Sequence, residues 1–341
     1  MKAIVFDQSL AISEPNALFE ADLPIPEAKG HDLLVRITAT SINPIDSKLR
    51  LRALPEKGEP KVLGFDAVGV VEAVGQDVTL FKQGDRVFYA GDMTRQGSHA
   101  EYQLVDERIT GKAPSSITDE AAAAMPLTSL TAYEILFDRL QVDIKSRFSD
   151  VPNCLLVTGA AGGVGSVLIQ LAKAICPEAV IIATASRDDS QDWCKKMGAD
   201  YVINHHNGIA NEVAKLDAPP VTHIASLTHT ANYFNDFAEL INPQGKICLI
   251  DDPSEALNIQ ALKIKSVSLH WELMFTRSKF QTDDMIQQHY ILNEVAELLD
   301  NKKIQSTQTH TIGPMSADNM KIAHAQIEKS STIGKWVLLG F

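Results

Sequence analysis

The sequence predicts an α/β protein, with a doubly wound parallel sheet joined to a second, β-rich domain. Three observations carry that expectation. Residues 1 to about 110 are rich in β-branched residues, Gly and Pro, with short strand-like runs such as Leu33–Ala39, Ala67–Val74 and Arg86–Ala90 split by turns. Helix formers with an acidic first turn take over at Asp119–Met125, and strand and helix patterns then alternate to about residue 270. Within that stretch, the apolar run Leu155-Leu156-Val157 leads into Gly159-Ala160-Ala161-Gly162-Gly163-Val164-Gly165 and then into an amphipathic helix.

The elements follow in order. After the strand before Gly159 and its helix come a strand at Val180–Ala185, a helix through Lys195, and strands at Tyr201–Ile203, Ile224–Leu227 and Lys246–Ile250. A long helix is expected from about Asp283 to Leu299, and a closing strand at Lys335–Gly340. The expected domains are residues 1–123 and 274–341 as one body, with residues 124–273 inserted between them and the active site in the cleft. Loops at 49–60 and 274–281 are expected to set the size of that cleft.

The glycine turn carries the chemistry. A helix N-terminus presents unpaired amide N–H groups and a partial positive charge, which suit a pyrophosphate. Glycines permit the turn, and Gly162 and Gly165 carry no side chain to block phosphate or the helix–strand contact. Ala160, Gly162, Gly163, Val164 and Gly165 are therefore expected to bind a dinucleotide. An NAD-specific site places Asp or Glu about 20 residues on, to accept hydrogen bonds from the ribose hydroxyls. This chain has Ala185-Ser186-Arg187 there instead. A small residue makes room for a 2′-phosphate, a hydroxyl donates to it and a guanidinium pairs with it, so Ser186 and Arg187 point to NADPH. Asp188 and Asp189, alongside, are able to neutralise Arg187.

The net charge of −12 argues against nucleic acid or an anionic membrane as a partner, since both need a positive field. No apolar run reaches the roughly 20 residues that span a bilayer. Asp7 interrupts the apolar start, so no export signal is expected. Cys154, Cys176, Cys194 and Cys248 are scattered without a close pair, the pattern of reduced thiols in a cytoplasmic protein.

Further motifs are Asn43-Pro44-Ile45-Asp46, Gly64-Phe65-Asp66-Ala67-Val68-Gly69, Gly84-Asp85-Arg86-Val87, Gly97-Ser98-His99-Ala100-Glu101-Tyr102 and Leu127-Thr128-Ser129-Leu130-Thr131-Ala132-Tyr133. With the glycine turn, they resemble the medium-chain dehydrogenase/reductase superfamily in its quinone-oxidoreductase (zeta-crystallin-like) branch, over essentially the whole chain. The segment His270–Arg277 resembles the subgroup named zinc-type alcohol dehydrogenase-like. The resemblance implies a Rossmann domain, a GroES-like catalytic domain and a homodimer pairing through an edge such as Val267–His270.

It also invites a test against zinc. By motif, the family's ligand positions fall on Asn43, Phe65 and Leu127, which cannot hold Zn²⁺, and no cysteine precedes Cys154 to build a structural zinc lobe. Asp46, Asp66 and His99 are a poor substitute set. No metal is expected. What remains is hydride transfer from NADPH to a quinone or an α,β-unsaturated carbonyl, whose developing charge delocalises onto a carbonyl oxygen without a Lewis acid. The alternatives are a non-catalytic NADPH-binding protein and a zinc alcohol dehydrogenase.

By resemblance, Asn43 abuts the nicotinamide, and its amide is able to donate to an enolate or quinone oxygen; capping the turn before Pro44 is the competing role. Asn43 and Asp46 are the catalytic candidates; Asp46, near a helix start, reads as an N-cap or orienting residue, with a catalytic acid as the alternative. Thr128 resembles the residue that contacts the nicotinamide ribose or carboxamide, with a helix N-cap as the alternative. Thr228 and Asp251 follow parallel strands at their carboxyl ends, where ligands bind in this architecture. Tyr89 and Tyr102 read as half-buried strand residues, and His205-His206 as a solvated loop.

Overall fold

A computed structural model describes residues 1–52, 55, 59–142 and 152–341 and divides the chain into two compact units, residues 1–130 with 275–341 and residues 131–274. Part of the 49–60 loop lies outside the described residues.

The first unit opens with β1 (Lys2–Phe6), β2 (Phe19–Asp22), β3 (Asp32–Ser41), α1 (Pro44–Arg52), β4 (Lys61–Val62), β5 (Ala67–Val74), β6 (Arg86–Tyr89), β7 (Tyr102–Asp106), β8 (Thr110–Lys112), α2 (Asp119–Ala123) and α3 (Pro126–Tyr133). Thr118, just ahead of the acidic first turn, caps α2 by accepting from the Ala121 amide. β1 sits between β2 and β4 in a small antiparallel sheet.

The second unit holds β9 (Cys154–Thr158), α4 (Gly163–Ile175), β10 (Val180–Thr184), α5 (Asp188–Met197), β11 (Tyr201–Ile203), α6 (Ile209–Val213), β12 (His223–Ser226), α7 (Thr230–Leu240), β13 (Lys246–Leu249) and β14 (Ser268–Trp271). All six strands pair parallel, in the order β11-β10-β9-β12-β13-β14. Every residue of β9 and β12 is buried, because helices cover both faces. The strand order reverses between β9 and β12, which leaves a ligand crevice at their carboxyl ends. Leu156, Ile182, Ile224 and Ile247 from the sheet pack with Phe234 and Phe237 from α7 in one buried cluster.

The chain returns to the first unit through α8 (Thr276–Phe280), α9 (Gln287–Asp300), β15 (Gln308–Pro314), α10 (Ala317–Glu328) and β16 (Lys335–Leu339). These complete a sheet of order β15-β16-β3-β5-β6-β8, with β7 also paired to β3. The α9 helix starts at Gln287, four residues later than the sequence suggests. Thr282 Oγ1 (2.6 Å) and Arg277 Nε (3.0 Å) both donate to the Asp284 carboxylate, which fixes a turn ahead of the helix. Among the described residues, no helix is long and apolar enough to cross a membrane.

Candidate functional site

Two groups of predicted residues come together, one in each unit. In the second unit, the chain leaves β9 through Gly159 at φ +63°, a conformation that favours glycine, and the Gly162 amide donates back to the Gly159 carbonyl at 3.0 Å. Gly162 is the N-cap of α4 and offers no side chain to its amides. A Cβ on Gly165 would lie 2.5 Å from the Ala160 carbonyl oxygen, so only glycine allows the helix so close to the strand end. Ser166 Oγ donates to the Gly162 carbonyl at 2.6 Å and accepts from Trp193 Nε1 at 2.8 Å, tying the first turn of α4 to α5. The open amides at this helix start, with their partial positive charge, fit a pyrophosphate.

The other predicted contacts line the same carboxyl edge. Ser186 and Arg187 follow β10, and the Ser190 hydroxyl donates to the Arg187 carbonyl at 2.7 Å to start α5. The Arg187 guanidinium lies 3.3 Å from Asp189, and both side chains are exposed. The aspartate therefore shares the arginine in the way the sequence allows. Thr228 packs on the glycine turn, since a Cβ on Gly159 would meet its methyl at 2.9 Å. The Asp251 carboxylate accepts from the Thr230 amide at 2.9 Å and from the Thr230 hydroxyl, so it caps α7.

In the first unit, Asn43 and Asp46 join a buried ion cluster. Asp66 lies just before β5, and four groups donate to its carboxylate: Ser41 Oγ (2.6 Å), Asn43 Nδ2 (2.7 Å), Lys335 Nζ (3.1 Å) and the Leu127 amide (2.8 Å). Lys335 opens β16, and its ammonium donates to the Ile42 carbonyl (2.7 Å), to Asn43 Oδ1 and to Asp66. Three donors thus meet three acceptors, and the carboxylate is as fully used. Asp66 is 1% and Lys335 3% exposed, so each charge depends on the other. Burial pushes the Lys335 ammonium below the usual lysine range, against the pull of Asp66. Asp46 accepts from the Asn43 amide (2.8 Å) and the Gly64 amide (3.0 Å), and burial raises its carboxyl to about 7.

Asn43 has spent its amide on this cluster, with Nδ2 also reaching the Phe65 carbonyl at 3.4 Å. Thr128 is buried, and its hydroxyl donates to the Met125 (3.1 Å) and Ala124 (3.4 Å) carbonyls at the start of α3. The Tyr89 hydroxyl is fully buried and Tyr102 partly so. Sequence reasoning passed over Lys335. The available signal was the period of β16, which sets Lys335 on the side of fully buried Val337.

The cluster also decides the fit of a metal. At the three positions the family motif assigns to zinc ligands stand an amide held by an ammonium, a phenyl ring packed edge-on to Phe275 at 5.2 Å, and an aliphatic side chain. That donor set does not fit Zn²⁺. Among the described residues, no group of three or more His, Cys, Asp or Glu is arranged to hold a metal ion.

Comparison with known proteins bears on the same residues. Residues 29–115 match the alcohol dehydrogenase GroES-like domain family, and residues 163–288 the zinc-binding dehydrogenase family. A zinc-type alcohol dehydrogenase-like protein of Staphylococcus aureus is 41% identical over 340 residues, 99% of each chain. A quinone oxidoreductase of Lama guanicoe is 28% identical over 264 residues, 76% of each. A Rhizobium etli crystal structure, provisionally designated a zinc-dependent alcohol dehydrogenase, superposes with TM-score 0.96 at 45% identity, covering 100% of this chain and 98% of that one. A mycobacterial protein solved with NADPH superposes with TM-score 0.80 at 26% identity, covering 99% and 100%. With its parallel cofactor sheet, its glycine turn and a full-length relative at this identity, the chain belongs to the medium-chain dehydrogenase/reductase superfamily of oxidoreductases, as a zinc-type alcohol dehydrogenase-like member with quinone oxidoreductase relatives.

Proposed function

We propose that this protein is a zinc-independent reductase that passes hydride from NADPH to a quinone or an α,β-unsaturated carbonyl. The observation that carries this reading is the Asn43–Asp66–Lys335 cluster, in which an internal ammonium, held by protein acceptors, occupies the neighbourhood of the absent metal ligands. Without a Lewis acid, an acceptor has to spread the arriving charge itself, and conjugated carbonyls do so. The quinone oxidoreductase relative supports the substrate class, and the NADPH-bound neighbour supports the cofactor.

In this reading, Ala160, Gly162, Gly163, Val164 and Gly165 hold the pyrophosphate, and Ser186 and Arg187 take the 2′-phosphate. Thr228 shapes the glycine turn, Asp251 fixes the start of α7, and Thr128 sits on the nicotinamide side. When bound, NADPH supplies the hydride. Asn43 and Asp46 act as positioning groups: both Asn43 amide hydrogens already have protein acceptors, and Asp46 clamps the Asn43 and Gly64 backbones. Solvent protonates the reduced acceptor.

The test is NADPH consumption against a panel of 1,4-quinones and short enones, with NADH and a chelator as parallel controls. Chelator-insensitive turnover that prefers NADPH supports the reading. NADPH binding without turnover across the panel replaces it with a non-catalytic nucleotide-binding role. We also propose a cytoplasmic homodimer. β14 is an edge of the parallel sheet, its last residue Trp271 56% and the following Leu273 46% exposed, and a second copy would cover that edge. Light scattering at micromolar concentration that finds a monomer would refute the dimer.

A further inference from the structure

We propose that His205, His206 and His229 form a proton-coupled recognition surface for the 2′-phosphate of the adenine nucleotide. The inference deepens the reading of NADPH as the cofactor and rests on it. It begins from placement. β10 and β11 are parallel neighbours with Thr184 opposite Ile203, and the Ala185 amide donates to the Ile203 carbonyl at 2.9 Å. Ser186-Arg187 and His205-His206 therefore leave the sheet side by side at its carboxyl edge. The His206 amide donates to Asn204 Oδ1 at 3.0 Å, which holds the two histidines in a tight turn.

The rings then gather. The His205 and His206 centroids lie 4.4 Å apart, and His205 lies 6.1 Å from the ring of Tyr233 on α7. His229 stands at the N-terminus of that same helix, at φ +53°, exposed, with its Nδ1 2.8 Å from the Thr228 hydroxyl. Burial lowers the affinity of His205 for a proton, and the charges of His206 and His229 lower it further. Charge on His206 or His229 thus opposes protonation of His205 while no anion is present. A phosphate dianion placed among them reverses that balance.

The carboxylates on the surrounding elements do not supply that anion. Glu212 on α6 is held by Lys215 at 2.5 Å, Asp236 on α7 accepts from the Ile209 and Ala210 amides at 2.9 and 3.4 Å, and Asp251 after β13 is taken up by the Thr230 amide and hydroxyl. Asp189 on α5 lies against Arg187, and Asp188 beside it is exposed to solvent. Arg187 and Lys215, the cations beside these carboxylates, are each paired with one of them. A phosphate monoester loses its second proton near pH 6 and an imidazole near 6.5, so at neutral pH a bound 2′-phosphate would draw protons onto the trio. A nucleotide with a free 2′-hydroxyl would not.

The experiment is titration calorimetry of the full-length protein with NADP⁺, NAD⁺, 2′,5′-ADP and ADP. Two buffers of different ionisation enthalpy are used, between pH 6 and 8. The expected result is net proton uptake with NADP⁺ and 2′,5′-ADP only. In the His205→Asn/His206→Asn protein most of that uptake is lost, NADP⁺ binds about tenfold more weakly, and NAD⁺ binds as before, which shows an intact fold. His229→Asn reduces the uptake in part. An NADP⁺ preference without proton uptake, unchanged in the histidine variants but abolished by Arg187→Ala, overturns the inference and leaves the NADPH reading standing. Equal affinity for NADP⁺ and NAD⁺ at every pH overturns the NADPH reading itself.

Discussion

The ion cluster of the first unit and the carboxyl edge of the parallel sheet treat charge in opposite ways. Around Asp66 every donor finds an acceptor, and the side chains of Lys335 and Asp66 are 4% and 0% exposed. At the sheet edge, the side chains of Arg187 and Asp189 are 48% and 65% exposed, and His206 and His229 face solvent. A closed network has nothing left to offer a ligand and serves to hold the backbone of several elements at once. An open edge contributes little to stability and keeps its groups available. Within a single chain, charge that only holds structure and charge left open to solvent are therefore told apart by exposure and satisfaction.

That contrast is sharpened most by Lys335→Met. It strands the Asp66 carboxylate in the interior and should destabilise the first unit by about 3–5 kcal/mol in urea unfolding. Asp66→Asn combined with it should recover part of the loss, since the pair shares one interaction. Next comes Gly165→Val, whose side chain would collide with the Ala160 carbonyl. A loss of about 1–3 kcal/mol, with dinucleotide binding abolished, is expected from overpacking at this contact.

Acid should also weaken the first unit. His99 and His324 are buried with ring centroids 6.5 Å apart, near Arg50. Burial lowers His99 to about 3 and holds His324 well below the usual histidine range. Unfolding lets both take protons, so their contribution is complete above about pH 6.5 and is lost as pH falls. Asp46 works in the other direction: its raised value of about 7 favours the folded state at low pH and weakens it as pH rises towards neutrality. Two histidines outweigh one aspartate. As pH drops from about 6 to 4.5, stability of the first unit should fall by about 1.4 kcal/mol per pH unit, and His324→Gln should flatten that slope. The smallest effect belongs to Arg187→Ala, which should leave stability within about 0.5 kcal/mol while weakening binding of 2′-phosphate nucleotides about tenfold.

Much of the sheet was legible because its signals are local. Leu155–Val157, Ile181–Ala183 and Ile224–Ala225 are apolar runs buried on both faces, and their spacing by helices dictates parallel pairing. The glycine turn is legible for the same reason, since strand, turn and helix start are contiguous. The Asp66 cluster is not. It joins residues 41, 43, 66, 127 and 335, and no pattern within a window of ten or twenty residues announces a lysine at the start of β16 as the partner of an aspartate before β5. Burial of Arg50 and His324 is hidden likewise, because α1 and α10 meet only in the folded chain. Asp284 displaced the start of α9 through side-chain bonds that propensity does not register.

The hydrogen bond from Trp193 to Ser166 has a spectroscopic consequence. Ser166 in turn grips the Gly162 carbonyl, so an indole stands two hydrogen bonds from the glycine turn. The chain has three tryptophans, and the other two stand on the edge strand at Trp271 and in β16 at Trp336. Emission from Trp193 should therefore register filling of the glycine turn, while Trp271 answers to coverage of the edge and Trp336 to melting of the other unit. The molecule carries one intrinsic fluorophore for each of these events, with no label attached.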